Sequence, residues 1–221
     1  MFWKYNAMTS YLEFREKLLP DGCFSVHQAR ACFPNFDRNN LTRWSHDELL
    51  IKLRRGWYAF PEMLRRPDFS RYVACRIYRP SYISLHMALS IYGMIPEAVT
   101  DITAVTTLKT AHFENSFGQY VYQNLKTSMY FGYKPVTLPP ATSAVGSPVQ
   151  TWLLAHPEKA LLDLLYLYPF YDSEAELEQL RLDEYFMTEE LDTDRLTEYL
   201  SKIGCRALDS RVKKLLKIYG I

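Results

Sequence analysis

The residues with the clearest chemical potential in this chain are polar and cationic side chains set at helical spacing. Between residues 37 and 46, Arg38, Asn39, Thr42 and Arg43 share one side of a helix, and Leu41 and Trp44 share the other. Short polar and guanidinium groups on an outward helix face can reach base edges and phosphates of duplex DNA. A few residues on, Lys52, Arg54 and Arg55 cluster at a tight turn, Arg55-Gly56, which places cations beside a phosphate backbone. These seven residues are the candidate DNA contacts. His46, at the end of the same helix, is in position to touch phosphate.

A second constellation, His156-Pro157-Glu158-Lys159 with Asp163, is the best candidate for catalysis. A metal-dependent nuclease site needs a carboxylate on a strand and a lysine two residues on. Here Glu158 and Lys159 are adjacent at a helix start, where Glu158 complements the helix dipole and Asp163 pairs with Lys159 at i, i+4. They are therefore read as structural, and the chain as a non-enzyme with no catalytic residues. No phosphate-binding glycine loop, zinc-protease motif or nucleophile elbow occurs. The five histidines lack ligand spacing, so no metal and no cofactor are expected.

Charge is partitioned along the chain. Residues 1–79 hold 14 Lys/Arg against 8 Asp/Glu, residues 156–204 hold 4 against 13, and the total is +1. A basic first third suits a polyanionic partner. The −9 segment would repel DNA and is expected to point away from it. Four scattered cysteines, with no Cys-x-x-Cys pair, fit reduced thiols and a cytoplasmic location. No apolar run is long enough to span a membrane, so no membrane partner is expected.

The elements that must position these residues follow from periodicity. Residues 8–19 predict a helix with Tyr11, Phe14 and Leu18 inward. Ser25 and Gln28 have capping-box spacing for a second helix, with Val26, Ala29 and Cys32 inward. A third helix runs from Asp37 to His46, and a hairpin follows, turning at Arg55-Gly56 and returning through Trp57–Phe60. That order predicts a winged helix-turn-helix over 1–67. Residues 68–79 read as a linker helix that extends the basic region. Residues 80–221 read as an α+β domain, of which residues 80–170 are expected to fold on their own: a helix from Ser81 to Tyr92 stopped by Gly93, short antiparallel strands over 101–133, and a hairpin turn at Asn115–Gly118. A Pro-rich loop over 134–148, a strand over 151–155, a helix opened by Pro157 and a helical C-terminus complete it. The fold class expected is α+β.

Several stretches together resemble the abortive-infection AbiEi antitoxin family. They are Tyr78-Arg79-Pro80-Ser81-Tyr82-Ile83-Ser84-Leu85 through Tyr92-Gly93-Met94-Ile95-Pro96-Glu97, Ile102–Thr107, Phe131-Gly132-Tyr133, Ala155–Leu165, and Leu53–Ala59 at the hairpin. The resemblance covers roughly residues 10–170 in order; the last fifty residues match no motif. It implies a transcriptional repressor that acts on its own operon by binding operator DNA; because one small wing makes few phosphate contacts, self-association on inverted repeats is expected. It also implies an antitoxin that opposes a nucleotidyltransferase toxin, in a system of the type in which direct contact between the two is not required. The alternative is a protein-interaction module that uses a winged helix and an acidic helical tail.

Overall fold

The computed structural model describes residues 10–140 and 148–221, and Ser10 is the first of them. Its hydroxyl accepts from Glu13 N and the Glu13 carboxylate accepts from Ser10 N, a complete capping box that starts helix α1 (Tyr11–Leu18). Residues 8 and 9 of the expected helix lie outside the described residues. Strand β1 (Cys23–Ser25) follows, then α2 (Val26–Cys32), whose Ser25–Gln28 capping box forms as expected. Val26 and Ala29 are buried, but Cys32 is exposed rather than inward. Helix α3 (Asn39–His46) buries Leu41 and Trp44, and Asp37 Oδ1 accepts from Asn39 N at its start. Strands β2 (Ile51–Arg54) and β3 (Trp57–Ala59) form the hairpin, and β1 joins it to give a three-stranded antiparallel sheet in the order β1-β3-β2. At three residues, β1 is too short to leave a periodic signal in the sequence.

The segment expected to be a linker is core. Helix α4 (Phe69–Ile77) buries Phe69, Tyr72, Val73, Ala74, Cys75 and Ile77, and packs on the second sheet. That sheet has six strands: β4 (Ser81–Ile83), β5 (Ile102–Thr106), β6 (Ala111–Asn115), β7 (Gly118–Asn124), β8 (Tyr133–Thr137) and β9 (Thr151–Ala155). Their order is β6-β7-β5-β4-β9-β8. The sheet is mixed, not antiparallel throughout, because β4 pairs parallel with β9 and β5 parallel with β7. Every residue of β5 is buried, as a strand covered on both faces requires. The Tyr122 hydroxyl, donating to Ala74 O, marks the face under α4. The opposite face lies under α5 (Leu85–Ile91) and α6 (Pro157–Leu167).

Two expectations fail locally. Ser81–Ile83 is a strand, not the first turn of a helix, so α5 begins only after Ser84. Tyr133–Thr137 is a strand, not loop; Pro135 is tolerated there because β8 is an edge. Of the expected Pro-rich loop, residues 141–147 lie outside the described residues. Gly93, at φ +72°, ends α5 as expected. The chain closes with α7 (Glu174–Glu178), one π-helical turn, α8 (Thr193–Ile203) and α9 (Arg206–Ile218).

The two sheets share one apolar core. At their junction Gly22 sits at φ +71°, and a Cβ there would come within 2.6 Å of the Phe69 ring and 3.0 Å of Gln150 Nε2. Gln150 is buried; its amide donates to Pro20 O at 2.7 Å and accepts from Arg66 at 2.7 Å. The residue just before β9 thereby closes the loop after α1.

Candidate nucleic-acid interface

Helix α3 exposes Arg38, Asn39, Thr42 and Arg43 together, because Leu41 and Trp44 are drawn into an aromatic cluster. Trp44 lies 4.8 Å from the Phe14 ring and 5.4 Å from Tyr11, which fixes the rotation of α3 about its axis. The outer face is therefore set by the burial of two residues. Arg43 donates to Asn40 Oδ1 at 2.9 Å, and Asn40 is itself buried. His46 is exposed, with Nδ1 3.3 Å from the Asp47 carboxylate, whose negative charge disfavours a phosphate beside it.

The hairpin divides its three cations. Lys52 and Arg55 are exposed. Arg54 is not: the β2–β3 register shifts between Lys52 and Arg54, and Arg54 turns inward. Its guanidinium donates to Ile77 O at 2.7 Å, the last carbonyl of α4, and lies 4.5 Å from the Phe113 ring centroid. A cation on the final carbonyl of a helix is favourable with the dipole. Arg54 thus joins the hairpin to α4 and β6 and is not presented at the turn. Asn115 Nδ2, donating to Leu53 O at 3.2 Å, makes a second tie between β6 and the hairpin. The turn itself is short and anchored, with Gly56 O accepting from Val26 N at 2.9 Å.

The basic stretch after the hairpin is also sorted by contacts. Arg66 bonds Gln150 and Pro139 O, Arg71 pairs with Asp68, and Arg76 lies over the Trp57 and Tyr72 rings. Only Arg65 and Arg79 of those five arginines are exposed. Net charge alone did not separate them.

The second constellation is buried. Lys159 and Asp163 are fully inaccessible and pair across one turn of α6, as their spacing predicts. Tyr82 and Ser84 donate to Asp163 Oδ2 at 2.9 and 2.8 Å, and Lys159 donates to the Tyr82 hydroxyl at 2.8 Å. Burial pushes the Asp163 carboxyl up and the Lys159 ammonium down, and each is opposed by the other's charge. Glu158, also buried, accepts from Asp192 N at 3.1 Å and pairs with Arg195 at 3.4 Å, which ties α6 to α8. Gly132, at φ +74°, leaves room for the Lys159 stem, since a Cβ there would lie 3.0 Å from Lys159 Cγ. Residues from three separate stretches, around Tyr82, Gly132 and Lys159, therefore meet in one network.

Among the described residues, no three His, Cys, Asp or Glu side chains cluster as metal ligands, and no helix is long and apolar enough to cross a membrane. The four cysteines are free, with Cys23 and Cys75 buried. No protein-family model matches this sequence, and no curated protein matches it. The likeness to AbiEi antitoxins rests on the residues quoted for it.

Proposed function

We propose that this chain is a DNA-binding transcriptional repressor that reads duplex DNA through α3 and braces on the backbone with Lys52 and Arg55. The observation that carries this is the outer face of α3, where Arg38, Asn39, Thr42 and Arg43 are exposed together on a helix whose rotation is fixed from behind. The element order α1, β1, α2, α3, β2, β3, with the sheet order β1-β3-β2, supports reading this unit as a winged helix in which α3 is the recognition helix. Asn39, Thr42 and Arg43 are assigned to bases; Arg38, Lys52 and Arg55 to phosphates. Arg54 leaves the contact set and becomes the brace behind the wing.

The antitoxin role, against a nucleotidyltransferase toxin encoded beside it, is the further part of this reading. Its support is that stretches of the resemblance distant in sequence converge on the buried Lys159–Asp163 network. Two copies on an inverted repeat would supply the affinity that one small wing lacks.

The deciding experiment measures binding of the full chain to its own promoter and to random duplex at two salt concentrations. Arg55→Ala should weaken both alike and flatten the salt slope by about one unit. Arg43→Ala should weaken the promoter more, by about 1–3 kcal/mol. Absence of salt-dependent duplex binding by the unaltered chain removes the DNA reading and leaves the interaction module.

A further inference from the structure

Strands β4 and β9 pair through Ile83 and Leu154, and toward their starts a cavity of about 330 Å³ lies beside them. At that level the Leu153 backbone is engaged by the Cys75 thiol, with N–H and C=O at 3.5 and 3.8 Å from Sγ. Arg76, Arg79, Ser81, Tyr130 and Tyr133 line the cavity.

We propose that this cavity binds a small phosphate-bearing ligand of nucleoside-monophosphate size, with the phosphate on Arg76, Arg79 and Ser81 and the ring against Tyr130 and Tyr133.

Three observations carry it. Ser81 is 2% exposed, yet its hydroxyl has no hydrogen-bond partner. Buried polar atoms are normally satisfied, and a ligand that accepts from this hydroxyl would satisfy it. Second, neither arginine is tied up in an ion pair, although the Arg76 charge reaches the Asp21 carboxyl. Among the described residues no carboxylate lies within ion-pair distance of Arg76 or Arg79, and residues 1–9 and 141–147 contain no Asp or Glu. Arg76 is held in place by the Trp57 and Tyr72 rings, each 5.7 Å from its guanidinium carbon, so less order is lost on binding. Third, the Tyr130 and Tyr133 rings stand 5.3 Å apart and form an aromatic wall. Arginine with aromatic faces suits a phosphate joined to a flat ring. The volume is at the small end for ligand sites, which favours a mononucleotide over a dinucleotide. Burial keeps the Cys75 thiol protonated, pushed up to about 11, so the site holds a ligand and offers no thiolate.

The inference stands whether or not the chain binds DNA. Calorimetric titration of the full chain with AMP, inorganic phosphate and adenosine tests it. AMP should bind saturably at one site, phosphate more weakly, and adenosine not at all. Arg79→Ala should weaken AMP by about tenfold or more, and Ser81→Val should abolish binding. Arg65→Ala, which removes an exposed arginine outside the cavity, should change nothing. If Ser81→Val does not fold, Arg79→Ala decides alone. The proposal is overturned by a lack of saturable AMP or phosphate binding. It is equally overturned if AMP binds Arg79→Ala and Arg65→Ala alike, or if Arg79→Ala weakens duplex DNA and leaves AMP unchanged.

Discussion

Arg43 on α3 and Lys159 on α6 each sit within one helical turn of a polar partner, Asn40 and Asp163, but their surroundings differ. Arg43 is exposed and its partner is a neutral amide, so its charge stays available to an outside polyanion. Lys159 is sealed with a carboxylate and two hydroxyls, so its charge is spent inside the fold. The same contrast appears between neighbours: Arg55 projects, and Arg54 caps α4. A cation serves an external ligand only where the fold leaves it without an internal counter-charge. Residue type does not decide this.

The largest test of that contrast is truncation. A chain starting at residue 80 loses α4, which supplies Phe69, Val73 and Ile77 to the core. It should show no cooperative urea transition, whereas a chain starting at residue 67 should keep one. A cooperative 80–221 fragment would make α4 a linker after all. Next, Lys159→Met leaves Asp163 buried without its counter-charge and should cost about 3–5 kcal/mol in chemical unfolding. The pair Lys159→Met with Asp163→Leu should recover much of that loss, because no lone charge remains. A loss below about 1 kcal/mol in the single variant would mean that water reaches the network.

Smaller effects sharpen the comparison at the hairpin. Arg54→Ala should destabilise the chain by about 1–3 kcal/mol, since it removes a charged hydrogen bond to Ile77 O. Arg55→Ala should change stability by less than about 0.5 kcal/mol. Equal stability losses would place both arginines in the same class. The smallest effect is with pH. Burial lowers the pKa of His86 and His156 below 6.5; Arg195 adds to the shift at His156. Folding then favours their neutral forms, so their contribution is full above pH 6.5 and declines as pH falls through the depressed values. Unfolding midpoints should be flat from pH 8 to 7 and should fall on further acidification; His86→Gln with His156→Gln should reduce that slope. An unchanged slope would assign the acid sensitivity to carboxylates.

Local rules in the sequence were enough for the elements with a stereochemical signal of their own. The Ser25–Gln28 capping box, Pro157 at the start of α6, Gly93 after α5 and the turn at Asn115–Gly118 each satisfy backbone demands within a few residues. Leu41 and Trp44 likewise fixed which side of α3 faces outward. What the sequence left open depends on partners far along the chain. Ser81–Ile83 has no local preference strong enough to choose strand over helix; pairing with β5 and β9 chose it. The parallel pairing of β5 with β7 depends on which strands the crossovers bring together, and spacing does not record that. Arg54 alternates with Leu53 in the sequence as a surface residue would. Only the register shift in the hairpin and the nearby end of α4, 23 residues on, turned it inward.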